Sequence, residues 1–255
     1  MPFPSFRRVT LAGISLLLSL ALAQTRVAHS GTFQVNPIRI TLSRQSPSSL
    51  LSVRNDSAEK IRFQIGIFAW DQNPKGEMVL NPTEDLIFYP TLLALEPGDE
   101  RRIRIGTNDP MVVSEKSYRI FIEELPPLEN SESHGIRILT KMGVPIFIQP
   151  SKSTVQGRLD QMGFQGSEFF FEIKNLGNVH FFPRAVRVKG AGSQGDIFLE
   201  RELQSWYILA GGTREYRVEI PRADCKKIQN LTVEVELEDK TRNEKILLPP
   251  QTCWG

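Results

Sequence analysis

Residues Gly135–Pro150 read G-I-R-I-L-T-K-M-G-V-P-I-F-I-Q-P, and this stretch decides how the rest of the chain is interpreted. Its apolar residues alternate with other residues, as in an extended strand whose successive side chains point to opposite faces. One face is predicted to carry Ile136, Ile138, Thr140, Met142, Val144, Ile146 and Ile148. Lys141 interrupts the apolar run, and Pro145 cannot donate to a strand ladder, so the stretch is predicted to be an edge strand. Because a long apolar edge promotes aggregation, a protein that keeps one is expected to pair it with another chain.

The same short-period alternation recurs on both sides of this stretch, and no convincing 3.6-residue helical periodicity is found. Before it, the predicted strands are Thr32–Leu42, Leu50–Arg54, Lys60–Ala69, Leu86–Tyr89, Thr91–Leu95, Glu100–Gly106 and Tyr118–Leu125. After it, they are Glu168–Lys174, Val179–Lys189, Ile197–Leu203, Trp206–Leu209, Thr213–Ile220, Leu231–Leu237 and Lys245–Leu248. Many short strands separated by Gly, Pro and Asn turns are typical of β-sandwiches. The sequence therefore predicts an all-β protein with two sandwich domains, residues 31–150 and 155–255, joined by a hinge near residues 150–154.

The N-terminus has the pattern of a secretory signal peptide, predicted here as residues 1–23. Arg7 and Arg8 precede the apolar run Val9–Leu22, and Ala21-Leu22-Ala23 is an A-x-A cleavage site. The alternative is a membrane anchor, but a run of about 14 residues is shorter than the roughly 20 that a spanning helix needs. A second cleavage after Ser30 stays open, and export predicts a periplasmic location.

Charge gives no support for nucleic-acid binding. The chain has 31 basic and 29 acidic residues, and the predicted signal peptide contains two of the basic ones and none of the acidic ones. The exported protein is therefore expected to be neutral overall, without the basic excess typical of nucleic-acid-binding domains.

The two cysteines, Cys225 and Cys253, are predicted to form a disulfide because exported proteins commonly oxidise such pairs. They are symmetric about residue 239, close to the turn of the last predicted hairpin. An antiparallel pair would bring both positions within bonding distance. Two free buried thiols are the alternative.

No catalytic or metal-binding constellation is present in the sequence. The three histidines, His29, His134 and His180, have no metal-ligand spacing between them, and no phosphate loop or nucleophile elbow occurs. The adjacent pair Glu123-Glu124 would point to opposite faces of a strand and could not act together. We therefore expect a binding protein without a cofactor or a metal, not an enzyme.

Two cations within apolar strands are candidate binding residues. Arg39 lies in the first strand and Lys141 in the opening stretch. Solvated charges on strand faces are one interpretation. The other is a pair that holds the C-terminal carboxylate of an incoming chain, where charge-assisted bonds would fix the register.

Several of these segments resemble the PapD-like periplasmic pilus chaperones. L-A-L-E-P-G-D-E-R-R-I-R-I at Leu93–Ile105 is similar to the family's Pro-Gly turn and following strand. Y-R-I-F-I-E-E-L-P-P at Tyr118–Pro127 resembles the family's strand that ends in Glu-(Ile/Leu)-Pro-Pro. F-F-F-E-I-K-N-L-G-N-V-H-F at Phe169–Phe181 is similar to a strand, turn and strand of the second domain.

The resemblance implies two immunoglobulin-like domains in an L or boomerang arrangement, with a subunit-binding cleft between them. It implies a chaperone that stabilises pilus subunits by donating a strand and delivers them to an outer-membrane usher. The donor residues would be Ile136, Ile138, Thr140, Met142 and Val144. Self-capping of this strand in a homo-oligomer is expected when no subunit is bound, because exposed isoleucines are costly.

The resemblance also implies that a cation on the first strand and a lysine on the donor strand anchor the subunit's C-terminus. Arg39 and Lys141 match these two positions. Two extra residues separate Lys141 from Pro150, so a second alignment places Gly143 at the anchor position instead.

A secreted structural or adhesive protein with the same two sandwiches is the competing hypothesis. In that case the long strand would be an edge for self-association. Stable monomers that co-elute with a separate subunit favour the chaperone, and spontaneous fibres favour the adhesive protein.

Overall fold

The computed structural model describes residues 32–73, 75–127, 138–237 and 241–247. Ten strands lie before residue 150: β1 (Phe33–Asn36), β2 (Ile40–Leu42), β3 (Ser48–Asn55), β4 (Ile61–Gln72), β5 (Met78–Pro82), β6 (Leu86–Tyr89), β7 (Leu92–Leu95), β8 (Glu100–Thr107), β9 (Lys116–Leu125) and β10 (Lys141–Ile148). Seven follow: β11 (Gly157–Gln165), β12 (Glu168–Asn175), β13 (Ala185–Ala191), β14 (Ile197–Leu203), β15 (Thr213–Glu219), β16 (Asn230–Glu236) and β17 (Thr241–Leu247). One short helix, α1 (Arg222–Cys225), precedes β16.

Each half of the chain forms two sheets around its own apolar core. In the first half, β1-β3-β8-β6 form one sheet, and the other contains β2-β10-β9-β4-β5, with β7 also paired to β4. In the second half, β11-β12-β15 face β14-β13-β16-β17. One buried cluster, with Phe63 and Ile120 at 0% exposure, joins the first two sheets, and a second cluster around Phe169 and Val233 joins the other two. The predicted all-β class with two sandwiches is thus confirmed.

The first predicted strand, Thr32–Leu42, is divided between two sheets. β1 pairs antiparallel with β3, whereas β2 pairs parallel with β10. Pro37 lies between the two segments and has no N–H to give to a ladder. The break lets one segment of alternating sequence contribute to both sheets of the sandwich, and it brings Arg39 to the start of β2.

The opening stretch is shorter as a strand than its pattern predicts, and only part of it is an edge. β10 pairs antiparallel with β9 along its whole length, from Lys141 to Ile148. On its other side, β2 covers only Ile146–Ile148. Among the described strands, the segment Lys141–Pro145 therefore has a neighbour on one side alone.

A buried asparagine ends one strand in each sandwich. The Asn55 Nδ2 group donates to the carbonyl oxygens of Glu59 at 2.8 Å and Leu95 at 3.0 Å. The Asn175 Nδ2 group donates to Val179 at 2.8 Å and to Leu209 at 2.9 Å. Each side-chain oxygen also accepts from the backbone N–H two residues later. The two amides thus hold equivalent turns closed, one in each core.

Cys225 lies in α1, is buried against the second core and is disulfide-bonded. Its predicted partner Cys253 lies outside the described residues, as do the predicted signal peptide and Ile136. Within the described ranges, no helix has the length and apolar character to cross a membrane.

Candidate functional site

The two sandwiches meet at a small aromatic cluster between β4, β10 and the segment that precedes β15. Trp70, Phe147 and Leu209 form its buried part, with Tyr207 packed against it. The Phe147 ring also stacks on His180, with ring centroids 3.7 Å apart. Alternation explains why Phe147 faces the second sandwich, because its neighbours Ile146 and Ile148 fill the first core.

Polar contacts secure this interface on two sides. Gln72 donates from Nε2 to the Tyr207 carbonyl at 2.7 Å and accepts from the Leu209 N–H at 2.9 Å. The buried Glu115 carboxylate accepts from the His180 N–H at 3.0 Å and contacts its ring Nδ1 at 2.7 Å. These hydrogen bonds join residues that are far apart in the sequence, and they hold the two sandwiches together.

An interdomain cleft of about 650 Å³ opens beside this cluster. Its lining comprises Arg39, Val155, His180, Phe181, Phe182, Arg184, Tyr207 and Leu237. Arg39, the candidate anchor residue, thus lies at the junction of the two sandwiches. The cleft combines two exposed arginines, Arg39 and Arg184, with aromatic walls, which suits the polar end of an otherwise apolar chain.

The structure does not bring Lys141 to Arg39. Lys141 forms an ion pair with Glu123, its cross-strand neighbour, with 2.7 Å between Nζ and Oε2. Both side chains are about half exposed. Ile40 pairs with Ile146 in the parallel ladder, so Arg39 is level with Pro145 on β10. Lys141 precedes Pro145 by four residues, which is roughly 13 Å along the strand from Arg39.

The predicted donor residues differ in their exposure. Ile138 is 71% exposed, and Thr140 and Met142 are half-buried. Val144 is 2% exposed and packs in the first core, so its side chain is not available to a partner chain in this structure. At its C-terminal end the predicted donor segment thus packs in its own domain, with Val144 in the first core and Met142 against it.

Arg119 is a residue of this region that the sequence reasoning did not select. It lies in β9 and is 8% exposed, with its guanidinium carbon 4.4 Å from the Trp70 ring centroid and 5.4 Å from that of Trp206. Burial lowers the pKa of Arg119, and the nearby Tyr207 opposes that shift. The sequence signal for Arg119 was its alternation with Tyr118 and Ile120, which places it on the face of the strand that points away from the core.

In the part of the chain that the structure describes, no group of three or more His, Cys, Asp or Glu side chains could hold a metal ion. The candidate site consists of the open edge of β10, the interdomain cleft and the basic side chains beside them.

Residues 32–154 match the family described as pili and flagellar-assembly chaperone, PapD N-terminal domain. Among curated proteins, the probable fimbrial chaperone EcpE of Escherichia coli K12 is 25% identical over 213 residues, covering 81% of this chain and 84% of the relative.

Solved structures share the fold. The class 5 fimbriae chaperone CfaA matches with a TM-score of 0.54 at 17% identity, over 86% of this chain and all of that one (100%). A chain of the CsuC–CsuE chaperone–tip adhesion subunit complex from Acinetobacter baumannii matches with a TM-score of 0.56 at 15% identity, over 84% and 98%. Residues 32–154 therefore carry a PapD N-terminal domain of the pili and flagellar-assembly chaperone family, and the chain is similar along most of its length to fimbrial chaperones.

Proposed function

We propose that the protein is a periplasmic chaperone that binds pilus subunits by donating a strand and delivers them to an outer-membrane usher. The donated segment is Ile136, Ile138 and Thr140, with Met142 at its boundary. The observation that carries the proposal is the 71% exposure of Ile138, directly before a strand whose edge is open from Lys141 to Pro145. An open edge supplies main-chain hydrogen bonds, and the exposed apolar side chain supplies groove filling.

The PapD N-terminal domain and the similarity to fimbrial chaperones support this function over the adhesive alternative, and they support a periplasmic location because such chaperones are periplasmic. The short predicted signal peptide would direct export there. Binding requires no cofactor in this scheme, since strand pairing and apolar burial supply the free energy. Capping of the free donor segment by a second copy of the chain stays part of the proposal.

Co-expression in the periplasm with a fimbrial subunit from the same gene cluster tests the proposal. We expect subunit to be recovered only when the chaperone is present, and Ile138→Asp to reduce recovery at least tenfold, because a charge in an apolar groove is strongly unfavourable. Ile197→Asp is the matched control, since Ile197 is also an exposed isoleucine, 54%, on edge strand β14 of the second sandwich. Equal recovery with both variants, or fibres formed by the purified chain alone, would contradict the proposal.

A further inference from the structure

Strand β6 (Leu86–Tyr89) is an open edge that lacks the features with which proteins usually protect an edge. It lies at the end of the sheet β1-β3-β8-β6, so among the described strands only β8 pairs with it. Its sequence, L-I-F-Y, contains neither a charge nor a proline. By contrast, the edge strands β11, β14 and β15 of the second sandwich each carry at least two charged residues. Because charged edges resist pairing with another chain, β6 is the more suitable of these edges for an added strand.

The outer face of β6 is apolar and adjoins a notch in the surface. Ile87 and Tyr89 lie on this face, and both are more than half exposed. Ile87 lies opposite Gly106 on β8, where the missing side chain leaves a cavity of about 350 Å³ that Ser48 also lines. A partner strand along β6 would therefore form main-chain bonds and cover apolar surface at the same time.

Charge is distributed unevenly along this edge. Glu84 and Asp85 are exposed and directly precede the strand, and Asp85 is paired with Lys116. At the other end of the strand, Tyr89 lies opposite the exposed Arg104 on β8. Among the described residues, neither Glu84 nor Arg104 has an ion pair or a side-chain hydrogen bond. The edge thus has an acidic end and a basic end, each with a charge that its own domain leaves unused.

A second copy of β6 that runs antiparallel is complementary to the shape of this edge. When the Ile87 residues of the two copies lie opposite each other, Tyr89 of each copy lies opposite Asp85 of the other. Side chains of the outer face then meet only side chains of the outer face. Tyr89 is also a diagonal neighbour of the other copy's Ile87, within reach of the cavity over Gly106.

The same register brings opposite charges together. Glu84 of one copy and Arg104 of the other are separated by two strand spacings, roughly 10 Å between backbones, which glutamate and arginine side chains can span. Twofold symmetry provides this contact twice. A parallel arrangement would instead place the two acidic ends side by side, which is unfavourable. Charge complementarity therefore selects a second copy, in the antiparallel orientation, as the occupant of this edge.

An occupied β6 leaves the proposed donor segment accessible. β1 and β2 are consecutive segments on either side of Pro37, so the ends of the two sheets that carry them lie at the same side of the sandwich. β10 is next to β2, whereas β6 is at the end of its sheet that is farthest from β1. The edges of β6 and β10 therefore lie on opposite sides of the first domain.

We propose that two copies of the chain pair antiparallel through β6, with Ile87 on the twofold axis and Glu84 of each copy beside Arg104 of the other. The two outer sheets join into one continuous sheet, and closed twofold dimers are the commonest soluble oligomers. This surface is distinct from the donor segment, so the dimer presents two free donor segments and does not cap them.

Sedimentation equilibrium of the purified, exported protein, from nanomolar to high micromolar concentration, tests the proposal. We expect the wild type to show a monomer–dimer equilibrium. Ile87→Lys should raise the dissociation constant about tenfold or more, because two lysines would meet at the centre of an apolar pair. Ile197→Lys is the matched control, since Ile197 is an exposed isoleucine on the edge strand β14. That control and Ile138→Asp should leave the dissociation constant unchanged.

A pair of charge reversals tests the orientation of the two strands. Arg104→Glu and Glu84→Lys each place like charges at both symmetric contacts, so each variant alone should dimerise about tenfold more weakly. In an equimolar mixture of the two variants, both contacts of the heterodimer are attractive again. We therefore expect the mixture to recover an affinity close to that of the wild type.

Four outcomes overturn the proposal. They are a wild type that stays monomeric throughout the series, a dimer that survives Ile87→Lys, a dimer lost in Ile138→Asp, and a mixture of the two charge variants that recovers no affinity. A monomeric wild type whose Ile87→Lys variant loses subunit recovery would assign this edge to another protein instead. Subunit recovery that depends on Ile138 would leave the chaperone function standing after any of the four.

Discussion

Asn175 illustrates how much one buried polar side chain contributes to this fold. It is 1% exposed, and its Nδ2 group lies within hydrogen-bond distance of three carbonyl oxygens, those of Val179, Ile208 and Leu209. These carbonyls belong to segments with little regular ladder pairing. The Ile208 and Leu209 carbonyls also accept the N–H groups of Phe181 and Gly212, so the Val179 carbonyl is the acceptor that relies most on the Asn175 amide.

Asn175→Ala is expected to lower the free energy of unfolding by about 1–3 kcal/mol, because the Val179 carbonyl loses this donor and the Gly177 N–H loses its acceptor. Urea unfolding followed by circular dichroism measures the change. Asn81→Ala in β5 is the control, since Asn81 is exposed and its loss should change stability by less than about 0.5 kcal/mol. Similar effects of the two substitutions would show that the hydrogen bonds of the Asn175 side chain are dispensable.

Gly143→Ala is expected to destabilise the first sandwich by about 1–3 kcal/mol, because the new methyl group would lie 2.8 Å from the Phe121 ring. Gly106→Ala is the matched control in strand β8, where a Cβ finds ordinary contacts at 3.5 Å or more. That control should be neutral or stabilising by up to about 1 kcal/mol. Denaturant midpoints compare the two variants, and equal midpoints would remove the steric argument.

The Tyr118 hydroxyl donates to the Asp85 carboxylate at 2.6 Å, and this bond holds the pKa of Asp85 below its ordinary value. Because the folded pKa lies below the unfolded one, the bond contributes stability above about pH 4, and this contribution is lost as the pH falls through the folded pKa. Tyr118→Phe should therefore show a smaller loss of stability than the wild type between pH 7 and pH 3. Urea midpoints at both pH values test this, with the exposed Tyr89→Phe as control. An unchanged pH dependence in Tyr118→Phe would exclude this bond as its source.

At the scale of elements, β10 changes its environment along its length. Lys141 is exposed, Met142 is half-buried, and Val144 and Ile146 belong to the first core. The segment just before the strand exposes Ile138 on the same predicted face. One alternating pattern thus exposes its apolar side chains at its beginning, where we propose that the subunit binds, and buries them in the first core at its end.

Substitutions on this face can show where along the stretch the side chains change from exposed to packed in the core. Ile138→Ala should leave the free energy of unfolding within about 0.5 kcal/mol of the wild type, because its side chain is exposed. Val144→Ala should lower it by about 2 kcal/mol, because it creates a cavity in the first core. Chemical unfolding gives both values. A large loss from Ile138→Ala would mean that this side chain is already packed in the free protein.

The sequence pattern predicted strands correctly where apolar residues alternate without interruption. It failed where pairing with other strands, and not the local sequence, determines the structure. The predicted strand Ile197–Leu203 begins and ends at the same residues in the structure. Trp206–Leu209 has only the isolated bridge between Ile208 and Phe181, because its aromatic residues pack at the interface. β11 was not predicted, since it contains few apolar residues and its pairing shifts between Asp160 and Gly163.

At the scale of the whole molecule, the interface between the sandwiches unites residues that no local pattern connects. Gln72 bonds to residues more than 130 positions away, and Asn178 donates to the carbonyls of Val113 and Lys152. The same limit applies to the site. Arg39 could be selected from sequence because it lies in an apolar strand, whereas Arg119 required the cross-strand register to place it beside Pro145.

The double substitution Gln72→Ala and Asn178→Ala removes side-chain bonds from two sides of the interface and leaves no buried charge unpaired. The wild type is expected to unfold in one calorimetric transition, and the variant in two, because each sandwich has its own core. Gln64→Ala with Asn81→Ala is the control, since both side chains are exposed. A single transition in the variant would mean that apolar contacts alone couple the sandwiches.

The two buried asparagines occupy equivalent places in the two sandwiches. Asn55 with the Leu95 carbonyl, and Asn175 with the Leu209 carbonyl, place the same chemical groups at the same point of two sandwiches. The segments that supply the acceptors, L-E-P-G-D and L-A-G-G-T, retain only a leucine and a glycine in register. An asparagine at this point ties the end of one strand to a distant segment through main-chain groups alone, so the neighbouring side chains can differ between the two domains without changing the turn.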